Sequence, residues 1–325
     1  MENIPGINKL IEVVSSGIGA VADPMLAPWK AGREGKAKIE SAKAAIEIAK
    51  LQTDALLETQ KRIANSNPKN QNGDWLDGCN SERIRFQERK RLANIKSVAR
   101  KAAHELESKE VPDQKPDHDW TARFFSSVQD VSSEDMQILW SKILAGQVKR
   151  PGSTSLRTLG VLQEMDRDTA KLFEKFCSMC MFLDLGDGIF DGRVCSLGKD
   201  PGYNSLQSFG LGFGKLNHLH EYGLIISDYN SWRDYSIPQQ NADKPYPCSL
   251  PFHFQNNLWI LTTLNNSNPM QEVKIKGPSL SISGLELSRI VECKQVPEFS
   301  AKLKSFFQTR NLRIMPVDTT TKEKK

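Results

Sequence analysis

The run from Asp119 to Ala170 constrains the fold more than any other part of the chain. Trp120, Phe124 and Phe125 recur at helical spacing, and Val128 extends the same face. An aromatic stripe of that kind has to be buried against other helices. Ser132, with Asp135 three residues later, has the spacing of a capping box with Asp in place of Glu. A helix through Met136, Leu139, Trp140, Ile143 and Leu144 follows. Pro151-Gly152 then forces a turn. Ser153 or Ser155 caps a short helix over 156–164, and Asp166 caps another that turns Leu172, Phe173, Phe176 and Met179 inward. The reading is a compact helical domain over 118–185. Trp120, Phe124, Phe125 and Trp140 form its structural core, and Arg157 supports the same module or, just inside a capped helix, meets an anion, the structural role being preferred.

Upstream, the seam Ile39, Ala42, Ile46, Ala49, Thr53, Leu56, Gln60, Ile63 steps by threes and fours. A turn-rich break at 67–79 separates it from a second helical stretch, 81–108, with Glu88, Leu92, Ile95, Ala99, Ala102 and Leu106 in step. A long α-helical hairpin or coiled coil over 31–110 is the economical arrangement. It closes within one chain or between two. The second helix carries Arg83, Arg85, Arg89, Lys90, Arg91, Lys96, Arg100 and Lys101 against Glu88 alone, a net +7 between 83 and 101. Such a stripe is either a solvated face or a polyanion site. Arg85, Arg89, Lys90, Arg91 and Lys96 are the candidate nucleic-acid-binding residues. Residues 1–30 form an amphipathic segment. Its apolar positions Ile7, Leu10, Ile11, Val14, Ile18 and Val21 pack on their own domain, or offer peripheral membrane contact through residues 4–28.

After Leu185 the pattern changes. GDGIFDG and GKDPGYN read as loops, and 206–226 reads as a helix-turn-helix. Strands are expected at 248–254, 258–264, 272–276, 280–283 and 312–317, and helices at 284–293 and 297–309. Over 186–317 this makes a winged-helix-like α+β domain, before a disordered tail at 318–325. The fold class expected for the whole is mainly α.

No catalytic constellation emerges. Gly210, Gly212, Gly214 and Lys215 cluster, but a phosphate loop needs glycine at 209 and Ser or Thr at 216, where the chain has Phe209 and Leu216. Cys177-x-x-Cys180 has no second pair at ligand spacing, so apolar packing is preferred over zinc. His218 and His220 face different ways on a helix; with His253 and Cys248 they define an enzyme hypothesis only. Glu272-x-Lys274 has the spacing that ends a nuclease motif, without the upstream acid such a motif needs. No metal, cofactor or catalytic residue is therefore expected. Six cysteines scattered at 79, 177, 180, 195, 248 and 293, and no leader-like N-terminus, place the chain in a reducing cytoplasm, with the inner-membrane surface as the alternative. The net charge of +5 makes no global demand for nucleic acid.

Asp119-Trp120, Phe124-Phe125 and VSSEDMQILWSKILAGQVKRPGSTSLRTL (131–159), with SLSISGLELSRI (279–290), resemble a bacterial domain-of-unknown-function family, number 2806. The likeness spans about residues 25 to 300 and implies no reaction. The N-terminal layout of an apolar segment, a proline and a charged Ala-rich helix is compositionally similar to abortive-infection proteins of phage defence. The expectation is a non-enzymatic bacterial interaction protein in anti-phage defence. It self-associates through its long helices and recognises a protein partner through its C-terminal domain. Nucleic-acid binding by helix 83–101 is the alternative, and an enzyme with an unrecognised site is the third reading.

Overall fold

The computed structural model describes residues 5–19, 73–106, 111–184, 189–198, 204–237, 249–264 and 273–317. The Ile39–Ile63 seam, Cys248, Glu272 and the 318–325 tail lie outside them. The chain divides into two compact units at Leu159/Gly160. The stretch 118–185 contributes to both.

Among the described residues the first unit holds four helices: α1 (Pro5–Ile18), α2 (Gly73–Leu106), α3 (His118–Val128) and α4 (Glu134–Lys149). The short helix α5 (Leu156–Glu164) spans the division. Trp120 stacks on Phe124 at 5.1 Å, and Phe124 meets Phe125 and Trp140 edge-on at 5.2 and 5.4 Å. Each such pair adds about 0.5–1.5 kcal/mol beyond area burial. Asp117 caps α3 by accepting from the Trp120 amide at 3.0 Å. α1 lies on this cluster. A Cβ on Gly17 would overlap the Phe125 ring, so only glycine lets the α1 backbone approach that closely. Leu10 and Val14 are fully buried there. The apolar face available for a membrane thus faces the helices of its own unit. The Ser132 capping box is not formed. Ser133 is the N-cap residue of α4, without a side-chain bond, while the Ser132 hydroxyl accepts from Asn94 at 3.4 Å.

The second unit is where the expected fold class fails. Its centre is a seven-stranded antiparallel sheet in the order β3-β8-β2-β1-β5-β6-β9. The strands are β1 (Cys180–Asp184), β2 (Ile189–Val194), β3 (Ile225–Ile226), β5 (Phe252–Phe254), β6 (Asn257–Thr263), β8 (Ser279–Leu280) and β9 (Leu312–Pro316). A second ribbon pairs β4 (Trp232–Asp234) with β7 (Lys274–Lys276). The helices are α6 (Arg167–Met179), α7 (Phe213–Glu221), α8 (Ile282–Ser288) and α9 (Pro297–Gln308). This is α+β rather than mainly α, and a sheet of this size is not a wing. The expected helix-turn-helix reduces to one 3₁₀ turn, Gln207–Phe209, followed by α7.

The overlooked strands explain the correction. β1 is an unbroken apolar run continuous with α6, and period alone does not separate that from a helix end. β2 reads IFDGRV, and its charges look like a loop. Folded, Asp191 and Arg193 are 6% and 4% exposed and neutralise each other through bonds of 2.7 and 2.9 Å. Between them, a Cβ on Gly192 would stand 2.7 Å from Leu280 and 3.0 Å from Phe182, so glycine permits the close approach of the neighbouring side chains. The Tyr235 hydroxyl closes the network by donating to Asp191 or the Met181 carbonyl, each at 3.1 Å.

Candidate interaction surface

α2 is 34 residues long, about 51 Å at the helical rise. It begins earlier than the expected 81, because a glycine such as Gly78 costs a helix only about 1 kcal/mol. Its carboxyl-terminal half is packed: Ile95, Val98, Ala99, Ala102, Ala103 and Leu106 are buried, and the alanines admit α4 closely. A polar clamp fixes the crossing. Asn94 donates to the Gln129 carbonyl at 2.8 Å, Gln137 donates to the Val131 carbonyl at 3.0 Å, and Ser97 and Lys101 both donate to the Gln137 side chain at 2.7 and 3.3 Å. Arg91 bridges Glu88 and Asp130, each at 3.1 Å.

Toward the amino terminus no described residue clamps the helix in this way. Residues 78–80, 82–84 and 86–90 are exposed whichever side of the helix they occupy. Ile84 is 52% and Phe86 63% exposed, on opposite sides, and Leu92 is 41% exposed at the edge of the packed half. Among them Arg83, Arg89 and Lys90 are exposed, and Arg85 and Lys96 are half-buried. The candidate cations therefore share one helix, but not one role. Arg91 is engaged in ion pairs, Arg89 donates to the Arg85 carbonyl at 3.3 Å, and Lys90 projects into solvent. Sequence reading did not single out Ile84 and Phe86. Their signal was apolar residues off the 88–92–95–99 seam.

The other candidates separate. Trp120, Phe124, Phe125 and Trp140 are buried in the one cluster described above. Arg157 is exposed on α5. Cys177 lies in the last turn of α6 and Cys180 opens β1, both buried, and burial pushes both thiols well above their ordinary range. That opposes the thiolate needed for zinc or redox work. Burial likewise pushes Cys195 and Cys293 up to about 11. His218 pairs with the Thr169 hydroxyl at 2.8 Å, His220 with the Ile225 carbonyl at 3.0 Å, and His253 is exposed on β5. Among the described residues no three His, Cys, Asp or Glu side chains gather as a metal site, and no helix is long and apolar enough to cross a membrane. A cleft of about 350 Å³ lies beside β6, lined by Phe254, Gln255, Trp259, Pro297, Lys304 and Ile314. The Trp259 indole donates to the Phe254 carbonyl at 3.0 Å, and Lys304 lies 5.8 Å from its ring centre.

The molecule is thus an α+β protein with an exposed basic helix. A family model described as a protein of unknown function, DUF2806, matches residues 79–304, and the chain belongs to that family. No curated protein and no solved structure matches it.

Proposed function

We propose that this chain is an interaction protein whose recognition element is the exposed amino-terminal half of α2. The observation that carries this is the pairing of exposed Ile84 and Phe86 with Arg83, Arg89 and Lys90 on a helix that, among the described residues, is clamped only from Arg91 onward. Aromatic and Arg side chains dominate protein interfaces energetically. The net +7 over 83–101 disfavours a second copy of the same helix and selects a partner protein with an acidic surface. The cleft at Trp259 and Lys304 is the recognition surface of the C-terminal unit in this reading. Anti-phage defence is the setting suggested by the compositional likeness of the N-terminal layout.

A photo-crosslinker at Lys90 should capture one recurrent partner with an acidic surface, identified by mass spectrometry. Ile84→Ser with Phe86→Ser should abolish capture while the helical spectrum is retained. Capture unchanged by that double variant sinks the reading. Nucleic-acid binding is the second reading, favoured by the charge alone. It requires a steep salt dependence that flattens in an Arg89→Ala, Lys90→Ala, Arg91→Ala triple variant. Phage plating with and without these variants tests the defence setting.

A further inference from the structure

We infer that the amino terminus of α7 is a binding site for the phosphoryl group of a small phosphorylated molecule, built around the Asn204 side-chain amide. Asn204 is 4% exposed, and its Nδ2 has no hydrogen-bond partner among the described residues. Its orientation is set. The buried Tyr229 hydroxyl donates to Oδ1, and the Asn204 carbonyl accepts from the Gln207 amide at 3.0 Å. The unpartnered Nδ2 faces Gly212, the N-cap residue of α7. A Cβ on Gly212 would stand 4.0 Å from Nδ2 and 3.9 Å from the Gln207 side chain, so glycine leaves an atom-sized gap between the buried donor and the helix end.

The surroundings match an anion. α7 has nine residues, no side-chain cap bond and no acidic residue in its first turn. The Lys215 and Leu216 amides both donate to the Gly212 carbonyl, at 2.9 and 3.0 Å. The amides of Gly212, Phe213 and Gly214 have no acceptor among the described residues. Three free amides at a helix start, with the positive end of its dipole, form an anion cradle. Two cations flank it: Lys175 on α6, whose ammonium fills the space a Gly210 Cβ would take, and exposed Lys215. An oxyanion seated at Gly212 gives the buried Asn204 amide the acceptor it lacks, which a buried donor strongly favours. With Phe209 and Leu216 at the two defining phosphate-loop positions, the cradle serves binding rather than nucleotide hydrolysis. This site belongs to the second unit and stands independently of the α2 reading.

The test is an amide-resolved NMR titration of the full chain with inorganic phosphate, balanced with chloride at constant ionic strength. Saturable shifts are expected at the Gly212, Phe213 and Gly214 amides and at the Asn204 side-chain NH₂. Gly212→Ala, at φ −65° and with ordinary contact distances for its methyl, should keep the spectrum elsewhere and weaken binding about tenfold or more by filling the gap. Lys175→Met should weaken it about threefold. A phosphorylated sugar should shift the same signals, and its unphosphorylated counterpart should not. Absence of saturable shifts at α7, or a Gly212→Ala chain that titrates like the parent, overturns the inference.

Discussion

Replacing Arg193 with methionine keeps a long side chain at that position and strands the Asp191 carboxylate inside the second unit. In the native arrangement both side chains are nearly sealed, at 5% and 8% exposure, and joined by two parallel bonds of 2.7 and 2.9 Å. Arg193 also reaches the Ile275 carbonyl at 3.4 Å, so the guanidinium ties β2 to β7. Removing one partner of a buried pair costs about 3–5 kcal/mol, because the remaining charge stays desolvated without compensation. Tyr235 offers Asp191 only one hydrogen bond, and that hydroxyl also reaches the Met181 carbonyl. Replacing both members, Asp191→Leu with Arg193→Met, removes the charge as well and should be near neutral. Cys180 provides the assay, since it is fully buried in β1 and the β1–β2 ladder sets it opposite Val194, next to Arg193 in sequence. Its labelling by a thiol reagent, under conditions where closing outpaces reaction, reports the opening free energy of this unit. At tenfold per 1.4 kcal/mol, Arg193→Met should speed labelling about 10²–10³-fold, and the double variant about tenfold at most. A single variant that labels like the parent, or a double variant as damaged as the single, refutes the argument that stranded charge dominates.

Two further outcomes follow. Trp140→Ala, which empties a 1% exposed site against Phe124, should destabilise the first unit by about 3–5 kcal/mol in urea unfolding followed by helical signal, with an unchanged slope. The Thr169 backbone amide, bonded at 2.7 Å, holds the Asp166 carboxyl below its ordinary value. A depressed folded value means that stability is present above the unfolded carboxylate range near pH 4 and is lost as pH falls through the folded value. Asp166→Asn should retain the cap and remove this part of the acid limb, measured as melting temperature against pH.

The helices of the first unit were legible because each is a local pattern. Trp120, Phe124 and Phe125 share a face by spacing alone, and in the second unit the Asp166 cap of α6 forms as its position predicts. The later strands were legible for the same reason. β5, β6, β7 and β9 fall within or almost within the expected stretches, since alternation and turn residues mark them. The capping box at Ser132 was misread because a tertiary partner, Asn94, takes that hydroxyl. The exposed half of α2 was legible as charge but not as surface, since exposure depends on which distant segments pack against it.

By itself the sequence determined the helical segments and their aromatic face, the basic stripe on α2, most of the later strands and the family resemblance. These are properties of neighbouring residues, set by period, propensity and caps. Only the tertiary structure decided that β2 is a buried strand, that β3, β8 and β2 are neighbours across about ninety residues, and that Asn204 faces Gly212. The reason is physical. Asp191 and Arg193 are costly to bury separately and tolerable together, and Asn204 acquires an unmet donor only once Tyr229 and α7 close around it. Such energies belong to pairs brought together by folding, and no single segment carries them.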